Sequence, residues 1–401
     1  MTMSSTSGFD IVCVAQPSWS GLYAKSTVLL MKEVALRNRV LYVDYAFTWK
    51  DLFRSIFKKQ QAPVLQMLGL KDRLRIAMVK NKEMRLAVLT LPPMLPLNFL
   101  SHGRLYKLLN SFNSWLASIS IRKAMERMKF NEAIVINAFS PGLGLNMLNK
   151  LNEKRTIYYC YDEIKNADWS GKHGGIMEDE FARKADAIVV SSDSLRDEKS
   201  SLNKKIFVVK NGVDTKLFKV ADQNPALKTN QVVVGFVGSL DSRIDYKLLE
   251  RLIRNSSEFH FRFIGRIVDE TFNELRSLPN VEWIAPVSYA ELPSLIQDFD
   301  IGIIPFVKSP FTKKIYPLKI NEYLAMGKPV VMTSFAKLPE FDSIVKTADS
   351  PEEFRNAIRS SIQNDDKENR AQRIQVAQKN SWEQRSIELN DILESVNGEK
   401  V

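Results

Sequence analysis

Short apolar segments alternate with longer helical segments along almost the whole chain of 401 residues, and this alternation is what most constrains the fold. The apolar segments are hydrophobic at nearly every position rather than at every second one, which indicates strands buried on both faces. Such strands, each followed by a helix, are typical of a parallel sheet that helices cover on both sides. We therefore predict a doubly wound α/β fold.

The alternation forms two series. In the first, we expect helices at about 23–36 and 102–128 and strands at residues 9–15, 39–45, 85–91, 133–138, 156–161, 187–191 and 206–209. In the second, we expect helices near 246–254 and 289–297 and strands at 232–237, 260–264, 281–285, 301–306 and 330–333.

The polar stretch 221–230 separates the two series and has the composition of an interdomain linker. We therefore predict one domain at 1–220, a second at 231–380, and a C-terminal helix at 381–401. Two doubly wound domains facing a central cleft would bind a ligand at the carboxyl ends of their strands. Several classes of protein share that geometry, so the function has to come from particular residues.

The amino-acid composition bears on which class of binding partner is favoured. The chain has 57 Lys and Arg against 46 Asp and Glu, a formal charge of +11. That excess favours an anionic partner, although simple solubility explains it equally well. Cys13 and Cys160 both lie in apolar segments, which indicates buried thiols rather than a disulfide framework.

Cofactor and metal motifs are missing from the sequence. No Gly-x-Gly-x-x-Gly and no Gly-x4-Gly-Lys-Ser/Thr occurs, which disfavours a nicotinamide, flavin or P-loop site. His102, His173 and His260 are far apart, and no Cys-x2-Cys or Asp-x-Asp pair exists. We therefore predict neither a cofactor nor a metal. No apolar run reaches the roughly 18 residues that a membrane-spanning helix needs.

The segment from Tyr316 to Val331 is the strongest functional signal. A loop supplies Lys319, a short helix carries Glu322, and Gly327 and Pro329 end the helix before the next strand. Backbone amides and a cation at such a helix can bind a diphosphate, while the carboxylate accepts hydrogen bonds from ribose hydroxyls. This segment resembles the donor-binding motif of GT-B glycosyltransferases, which consist of two Rossmann-like domains.

Further segments resemble the same family in the same order, chiefly glycosyltransferase family 4. They cover most of residues 205–396 and include Asn211-Gly-Val-Asp214, Val234-Gly-Phe-Val-Gly-Ser-Leu240, Asp300-Ile-Gly-Ile-Ile-Pro305 and Ser381-Trp-Glu383. The pattern is most similar to exopolysaccharide and teichuronic-type transferases, including glucuronosyltransferases of the xanthan type. The N-terminal half matches only in its general βα pattern.

The resemblance implies that residues 231–380 bind a nucleotide sugar, that residues 1–220 face the acceptor and the membrane, and that the last helix crosses back to the first domain. The basic pair that usually follows the glycine loop in this family is missing, because Ser239 and Ile244 stand at its positions. We therefore take Arg243 and Lys319 as the candidates for the diphosphate instead. The other candidates for binding the nucleotide and diphosphate are Gly238, Ser239, Tyr316 and Glu322. For Gly235 and Gly238, tight packing between strand and helix remains the alternative. Lys314 stands where many members of the family have a glutamate that contacts the sugar. It could recognise an acidic sugar or be a solvated lysine.

Direct displacement requires a base that accepts the proton of the acceptor hydroxyl. The strand at 156–161 runs into Asp162 and Glu163, and an Asp from this domain is what the resemblance implies. We expect Asp162, with Glu163 as the second candidate, to be that base. Both could instead be a polar strand end. Family 4 implies retention of configuration and an aspartate base implies inversion, so the stereochemistry stays open.

Residues 50–85 combine ten Lys and Arg with aromatic and aliphatic residues at helical spacing. This pattern favours contact with an anionic membrane surface, with an ordinary packed amphipathic helix as the alternative. The candidate contacts are Lys50, Arg54, Lys58 and Lys59. Nucleic acid is disfavoured because no RNA-binding motif occurs.

Together these features predict a glycosyltransferase on the inner face of the plasma membrane. It would transfer a sugar from a nucleotide diphosphate, most simply UDP, to a lipid-linked saccharide of a cell-surface polysaccharide. A sugar-nucleotide epimerase of the same shape and a catalytically silent nucleotide-sugar-binding module remain as alternatives.

Overall fold

The computed structural model describes residues 8–21, 23, 25–57, 61–79, 82–165, 173–219 and 231–398. The predicted linker at 221–230, and Lys58 and Lys59, lie outside the described residues. The chain divides into two compact units. The first contains residues up to Gly21, Lys25–Val209 and the chain from Ser386 onward, and the second contains Lys210–Arg385.

The first unit consists of alternating strands and helices. Its elements are β1 (Asp10–Ala15), α1 (Ser26–Val34), β2 (Arg39–Val43), α2 (Trp49–Ile56), α3 (Val64–Met67), β3 (Leu74–Val79), β4 (Lys82–Leu89), α4 (Arg104–Met128), β5 (Ile134–Ala138), α5 (Pro141–Met147), β6 (Arg155–Cys160), α6 (Gly174–Lys184), β7 (Ala187–Val190), α7 (Asp193–Lys199) and β8 (Ile206–Val208).

These strands form one sheet of eight in the described part of the chain, in the order β3-β4-β2-β1-β5-β6-β7-β8. All neighbouring pairs are parallel except β3 and β4, which are antiparallel. Packing against this sheet forms two apolar clusters. One joins Val12 and Leu41 to Ala117 and Ile121 of α4. The other joins strands β6 and β7 to Phe181 of α6.

Residues 50–85 differ from the prediction in secondary structure. Among the described residues of this range, α2 and α3 are the only helices, and they are followed by the antiparallel strands β3 and β4. We had predicted no strand at Leu74–Val79. The reason is that β3 is an edge strand that leaves Ile76 largely exposed, so its sequence lacks the continuous burial of the parallel strands.

The second unit repeats the alternation with a smaller sheet. Its elements are β9 (Val232–Val237), α8 (Tyr246–Arg254), β10 (Phe259–Ile264), α9 (Phe272–Leu275), β11 (Val281–Ile284), α10 (Leu292–Gln297), β12 (Ile301–Ile304), α11 (Leu318–Ala325), β13 (Val330–Met332), β14 (Val345–Thr347), α12 (Pro351–Gln363), α13 (Lys367–Lys379) and the start of α14 (Trp382–Gly398). From Ser386 onward, α14 belongs to the first unit.

The second sheet has six parallel strands among the described residues, in the order β11-β10-β9-β12-β13-β14. The order reverses at β9, which lies between β10 and β12. In an open parallel sheet, ligands bind beyond the carboxyl ends of the strands at such a reversal. The loops that follow β9 and β12 are therefore the expected place for a ligand in this unit.

Two glycines in this sheet allow aromatic rings to pack directly on the backbone. A Cβ atom on Gly235 would lie 2.1 Å from Phe299 Cδ2, and one on Gly302 would lie 2.4 Å from Tyr323 Cδ2. Gly235 therefore has the packing role that we considered as the alternative to diphosphate contact.

Candidate nucleotide-binding site

Helix α11 forms the centre of the candidate site in the second unit. Pro317 precedes the helix, and Gly327 follows it with φ of +69°, a left-handed conformation that suits glycine at a helix end. Glu322 lies on this helix and is only 1% exposed. Lys319 lies in the first turn of this helix and not in the preceding loop as predicted, because the helix already begins at Leu318. Its Nζ donates to Glu322 Oε2 at 2.6 Å, one helical turn away.

The second oxygen of Glu322 lacks a partner. Among the described residues, Glu322 Oε1 is buried and accepts no hydrogen bond. A buried carboxylate oxygen without a donor costs free energy, commonly more than the 1–3 kcal/mol or so of a neutral polar group. The site can therefore accept a hydrogen bond from a ligand at this atom.

Tyr289 adds a hydroxyl that the sequence did not single out. Its oxygen is buried. Burial raises the pKa of Tyr289 well above its ordinary value, and the negative charges of Glu322 and Asp214 raise that pKa further, while a hydrogen bond with the Asp214 backbone opposes the rise. Tyr289 is therefore a neutral donor close to Glu322.

Tyr323 fixes α11 against the end of the central strand. Val237 N, at the carboxyl end of β9, donates to the Tyr323 hydroxyl oxygen at 2.8 Å. Gly238 and Ser239 follow Val237 directly, and both are half-buried. The loop after β9 and the helix with Glu322 are thus held together at the carboxyl end of the sheet.

Arg243 lies in the same loop and is held by a carboxylate. Its guanidinium donates to both oxygens of Asp241, at 2.8 and 2.7 Å, and lies 5.4 Å from the centre of the Phe306 ring. Its side chain keeps 31% exposure. Arg243 is therefore oriented and partly neutralised before any ligand arrives.

Two other predicted residues lie before α11. Lys314 ends a short 3-10 helix at Thr312–Lys314 and is half-buried. Tyr316 is buried, and burial raises the pKa of its hydroxyl. Lys210 Nζ lies 5.7 Å from the centre of the Tyr316 ring. Contact of either residue with a ligand remains a prediction.

The Asn-Gly-Val-Asp segment has a structural explanation. Asn211 Nδ2 donates to Tyr316 O at 2.8 Å, and Asn321 Nδ2 donates to Asn211 O at 3.3 Å. A Cβ atom on Gly212 would lie 2.8 Å from Trp382 N, so no larger residue fits there without a shift. This segment therefore ties α11 to the start of α14.

The first unit contains the predicted base. Asp162 is half-buried just beyond β6, and its Oδ1 accepts from Glu163 N at 2.8 Å. Glu163 is buried, with 3% exposure. Of the two carboxylates, Asp162 is the more accessible.

Asp44 is a carboxylate at the same sheet edge that the sequence analysis missed. It directly follows β2, is buried, and accepts at Oδ1 from Trp19 N and Tyr45 N at 2.7 and 2.8 Å. Burial raises the pKa of Asp44, and those two backbone donors and the charges of Arg75 and Lys25 oppose the rise. A lone Asp after a strand gives no sequence signal that separates it from an ordinary turn residue.

Helix α2 places the candidate membrane contacts at the surface. Lys50 and Arg54 are exposed, and so are Trp49, Phe53 and Ile56. Within the described ranges, no helix is both long and apolar enough to cross a membrane. Over the same ranges, no cluster of three or more His, Cys, Asp or Glu could hold a metal ion.

Comparison with known structures defines the class of fold. Sucrose-phosphate synthase from Thermosynechococcus elongatus matches with a TM-score of 0.68 at 11% identity, over 97% of this chain and 99% of that one. HepE of Anabaena in complex with UDP and glucose matches with a TM-score of 0.62 at 14% identity, over 96% of this chain and 99% of that one. The protein therefore has the GT-B fold.

Sequence comparison defines the family. A family model described as glycosyl transferases group 1 matches residues 231–364. A protein of Bacillus subtilis named as a teichuronic acid biosynthesis glycosyltransferase, TuaH, is 30% identical over 270 residues, which cover 60% of this chain and 67% of that one. The chain belongs to the group 1 glycosyltransferases, and it is a glycosyltransferase.

Proposed function

We propose that the second unit binds a UDP-sugar and that Glu322 accepts hydrogen bonds from the ribose hydroxyls. The observation behind this proposal is the buried Glu322 Oε1 without a donor. Two vicinal hydroxyls can donate to one carboxylate, and hydrogen bonds to a charged group are stronger than neutral ones. UDP as the nucleotide is supported by the UDP bound to HepE of Anabaena.

Ribose binding frees a cation for the diphosphate. Lys319 donates to Glu322 at 2.6 Å. Once the ribose hydroxyls donate to this carboxylate, Lys319 can turn towards the diphosphate. Arg243 and the backbone amides of Gly238 and Ser239 are the other groups that we propose to bind the diphosphate. Cations and amides of this kind stabilise the charge of the departing UDP without a metal.

In this proposal, the first unit binds the acceptor and provides the residue that acts as the base. Asp162 accepts the proton of the acceptor hydroxyl while the hydroxyl oxygen bonds to the sugar carbon and the bond from that carbon to UDP breaks. We propose a lipid-linked saccharide of a cell-surface polysaccharide as the acceptor. The kinship with TuaH, named for teichuronic acid biosynthesis, supports an acceptor of this class. The exposed apolar and basic side chains of α2 support a location on the cytoplasmic membrane face.

A turnover experiment separates this function from its alternatives. The protein is incubated with single UDP-sugars, with and without an extract of lipid-linked saccharides. UDP release that requires the extract is the expected result. An altered sugar nucleotide without any acceptor would show an epimerase instead. Nucleotide binding without turnover of any donor would leave a silent binding module.

A further inference from the structure

The first unit contains a cavity of about 450 Å³ that the proposed donor site does not use. Its walls come from the segments after the strands. Gln16 follows β1, Tyr45 follows β2, Ser140 follows β5 and Ile164 follows β6. The cavity therefore lies at the carboxyl edge of this sheet, where doubly wound folds bind ligands. Its volume is within the range of about 300–1,000 Å³ that is usual for small-molecule sites.

Two cations line this cavity. Lys50 and Arg54 are one turn apart on α2, and both are exposed. Neither side chain has a hydrogen bond or ion pair to another residue described by the structure. The nearest acid along the helix, Asp51, is committed to the helix start, because its Oδ2 accepts from Thr48 N and Thr48 Oγ1 at 2.8 Å. The pair can therefore bind an anionic group.

Exposed aromatic side chains occur on the cavity lining and on helix α2, which carries the two cations. Phe99 lines the cavity and is 75% exposed. Phe53 neighbours Arg54 on α2 and is 55% exposed. Soluble proteins rarely leave large aromatic residues together at the surface without a partner. The cavity and the neighbouring face of α2 thus combine positive charge with exposed aromatic surface.

The floor of the cavity offers neutral polar groups. Gln16, Asn98 and Ser140 line it beside the apolar Met94 and Met177. Uncharged amide and hydroxyl groups among apolar walls suit the hydroxyls and ring faces of a sugar. Segment 94–99 keeps its place because Asn113 of α4 donates to Leu95 O and accepts from Leu95 N, at 3.0 and 2.9 Å.

We infer that this cavity binds the head of a lipid-linked acceptor, with its phosphate or diphosphate between Lys50 and Arg54, its sugar inside, and its chain along the exposed aromatic residues. The inference rests on the proposed function, since it assigns the acceptor of the same reaction. It assigns phosphate binding to Lys50 and Arg54, which the membrane hypothesis treats only as surface charges.

Fluorescently labelled farnesyl diphosphate is the probe, with labelled farnesol and inorganic pyrophosphate as the two partial ligands. The wild-type protein should bind farnesyl diphosphate more tightly than either partial ligand. Lys50→Ala with Arg54→Ala should weaken that binding by about tenfold or more. Arg122→Ala with Lys123→Ala is the matched control. It removes the same charge from exposed positions on α4, about 25 Å along the helix from the cavity residue Tyr106, and should leave binding unchanged.

Gly142→Phe tests the cavity itself. Gly142 lines the cavity, and a Cβ atom there would meet only Met177 Sδ at 3.8 Å, so a side chain can be attached at this position without a clash at Cβ, and a phenylalanine is expected to occupy cavity space. This variant should lose farnesyl diphosphate binding while it keeps the thermal stability, the UDP affinity and the vesicle binding of the wild type. Unchanged farnesyl diphosphate affinity in this variant would overturn the inference, as would farnesol binding as tightly as the diphosphate.

The two proposals fail in different ways. If UDP binds and farnesyl diphosphate does not, only the acceptor cavity is wrong. If UDP does not bind the wild-type protein, the proposed function is wrong whatever the cavity binds. If the double alanine variant loses vesicle binding but keeps farnesyl diphosphate affinity, the two cations read the bulk lipid surface, and the inference is wrong.

Discussion

Glu322 and Lys319 show how far single residues can be predicted here. The sequence places Glu322 on a short helix, and α11 confirms that placement. The prediction that Lys319 lies in the preceding loop is wrong, because α11 already begins at Leu318 and holds Lys319 one turn before Glu322. Their ion pair could not be predicted, because spacing alone does not say whether a lysine turns to its neighbour or to a ligand. Tyr289 was missed because only the folded chain brings its hydroxyl near Glu322.

Asp162→Asn is the residue-scale test of the base. The amide keeps the size of the side chain but cannot accept a proton, so transfer should fall by about 10²-fold or more, the usual worth of a general base. Nucleotide affinity should stay near that of the wild type, because Asp162 and the proposed donor site belong to different units. Initial rates of UDP release and a UDP titration measure the two effects.

Asp44→Asn is the matched variant. The asparagine Oδ1 can keep accepting from Trp19 N and Tyr45 N, so the fold should tolerate it. If Asp44→Asn abolishes transfer while Asp162→Asn remains active, the base is Asp44 and the assignment of Asp162 is wrong.

Among the secondary-structure elements, the buried central strands were predictable from the sequence and the edge strands β3 and β14 were not. The central parallel strands of both sheets appear in the structure where continuous apolar runs predict them. Strands β3 and β14 were missed because they are edge strands that are short or only partly buried, so neither has a continuous run of buried apolar residues. The basic segment at 50–85 was interpreted as helical because helical spacing of charges also occurs by chance across a helix and a hairpin.

Helix α2 is the element that should contact a membrane. Thr48 and Asp51 cap its start, Leu52 anchors it, and Trp49, Phe53 and Ile56 lie on one exposed face. The protein should float with phosphatidylglycerol vesicles at low salt and less so at high salt, because salt screens the basic residues. Trp49→Ser with Phe53→Ser should abolish flotation.

Val268→Ser is the control for that experiment, because it removes an exposed apolar side chain that is not on α2. It should float as the wild type does. No flotation of the wild type at low salt would reject membrane contact.

The ion pairs of Glu258 allow a test of how one contact between a strand and a helix contributes to stability. Glu258 joins the start of β10 to α12 through Arg355 and Arg359, and hydrogen bonds from Arg355 are the main cause that lowers the Glu258 pKa to about 2. The folded state therefore favours the charged carboxylate. Its stabilisation is complete above the ordinary pKa of about 4.3 and is lost as the pH falls towards 2.

Glu258→Gln should lower the free energy of unfolding at pH 7 by about 0.2–1 kcal/mol, since the pair is partly exposed. The difference from the wild type should vanish near pH 2. Glu270→Gln, at an exposed position, is the control and should have no effect. A difference for Glu258→Gln that does not change with pH would contradict the ion-pair explanation. Denaturant unfolding of the wild type and both variants at several pH values measures these differences in the free energy of unfolding.

At the scale of the whole molecule, the class of fold followed from the two βα series. Both units have doubly wound parallel sheets, as expected for GT-B. The second unit was the more predictable because its site is built from residues close together in the sequence, around α11. The first unit collects its cavity from segments between Gln16 and Met177, and no local pattern in the sequence indicates that these segments meet.

Glu322 should bind the ribose of a uridine nucleotide. Calorimetric titration of the wild type and of Glu322→Ala with UDP, without added metal, measures the strength of this contact. The wild type should bind UDP, and the variant should lose about 1.5–3 kcal/mol of binding free energy, the worth of hydrogen bonds to a charged group. Equal UDP affinity in the two proteins, or no UDP binding by a folded wild type, would rule out ribose binding by Glu322.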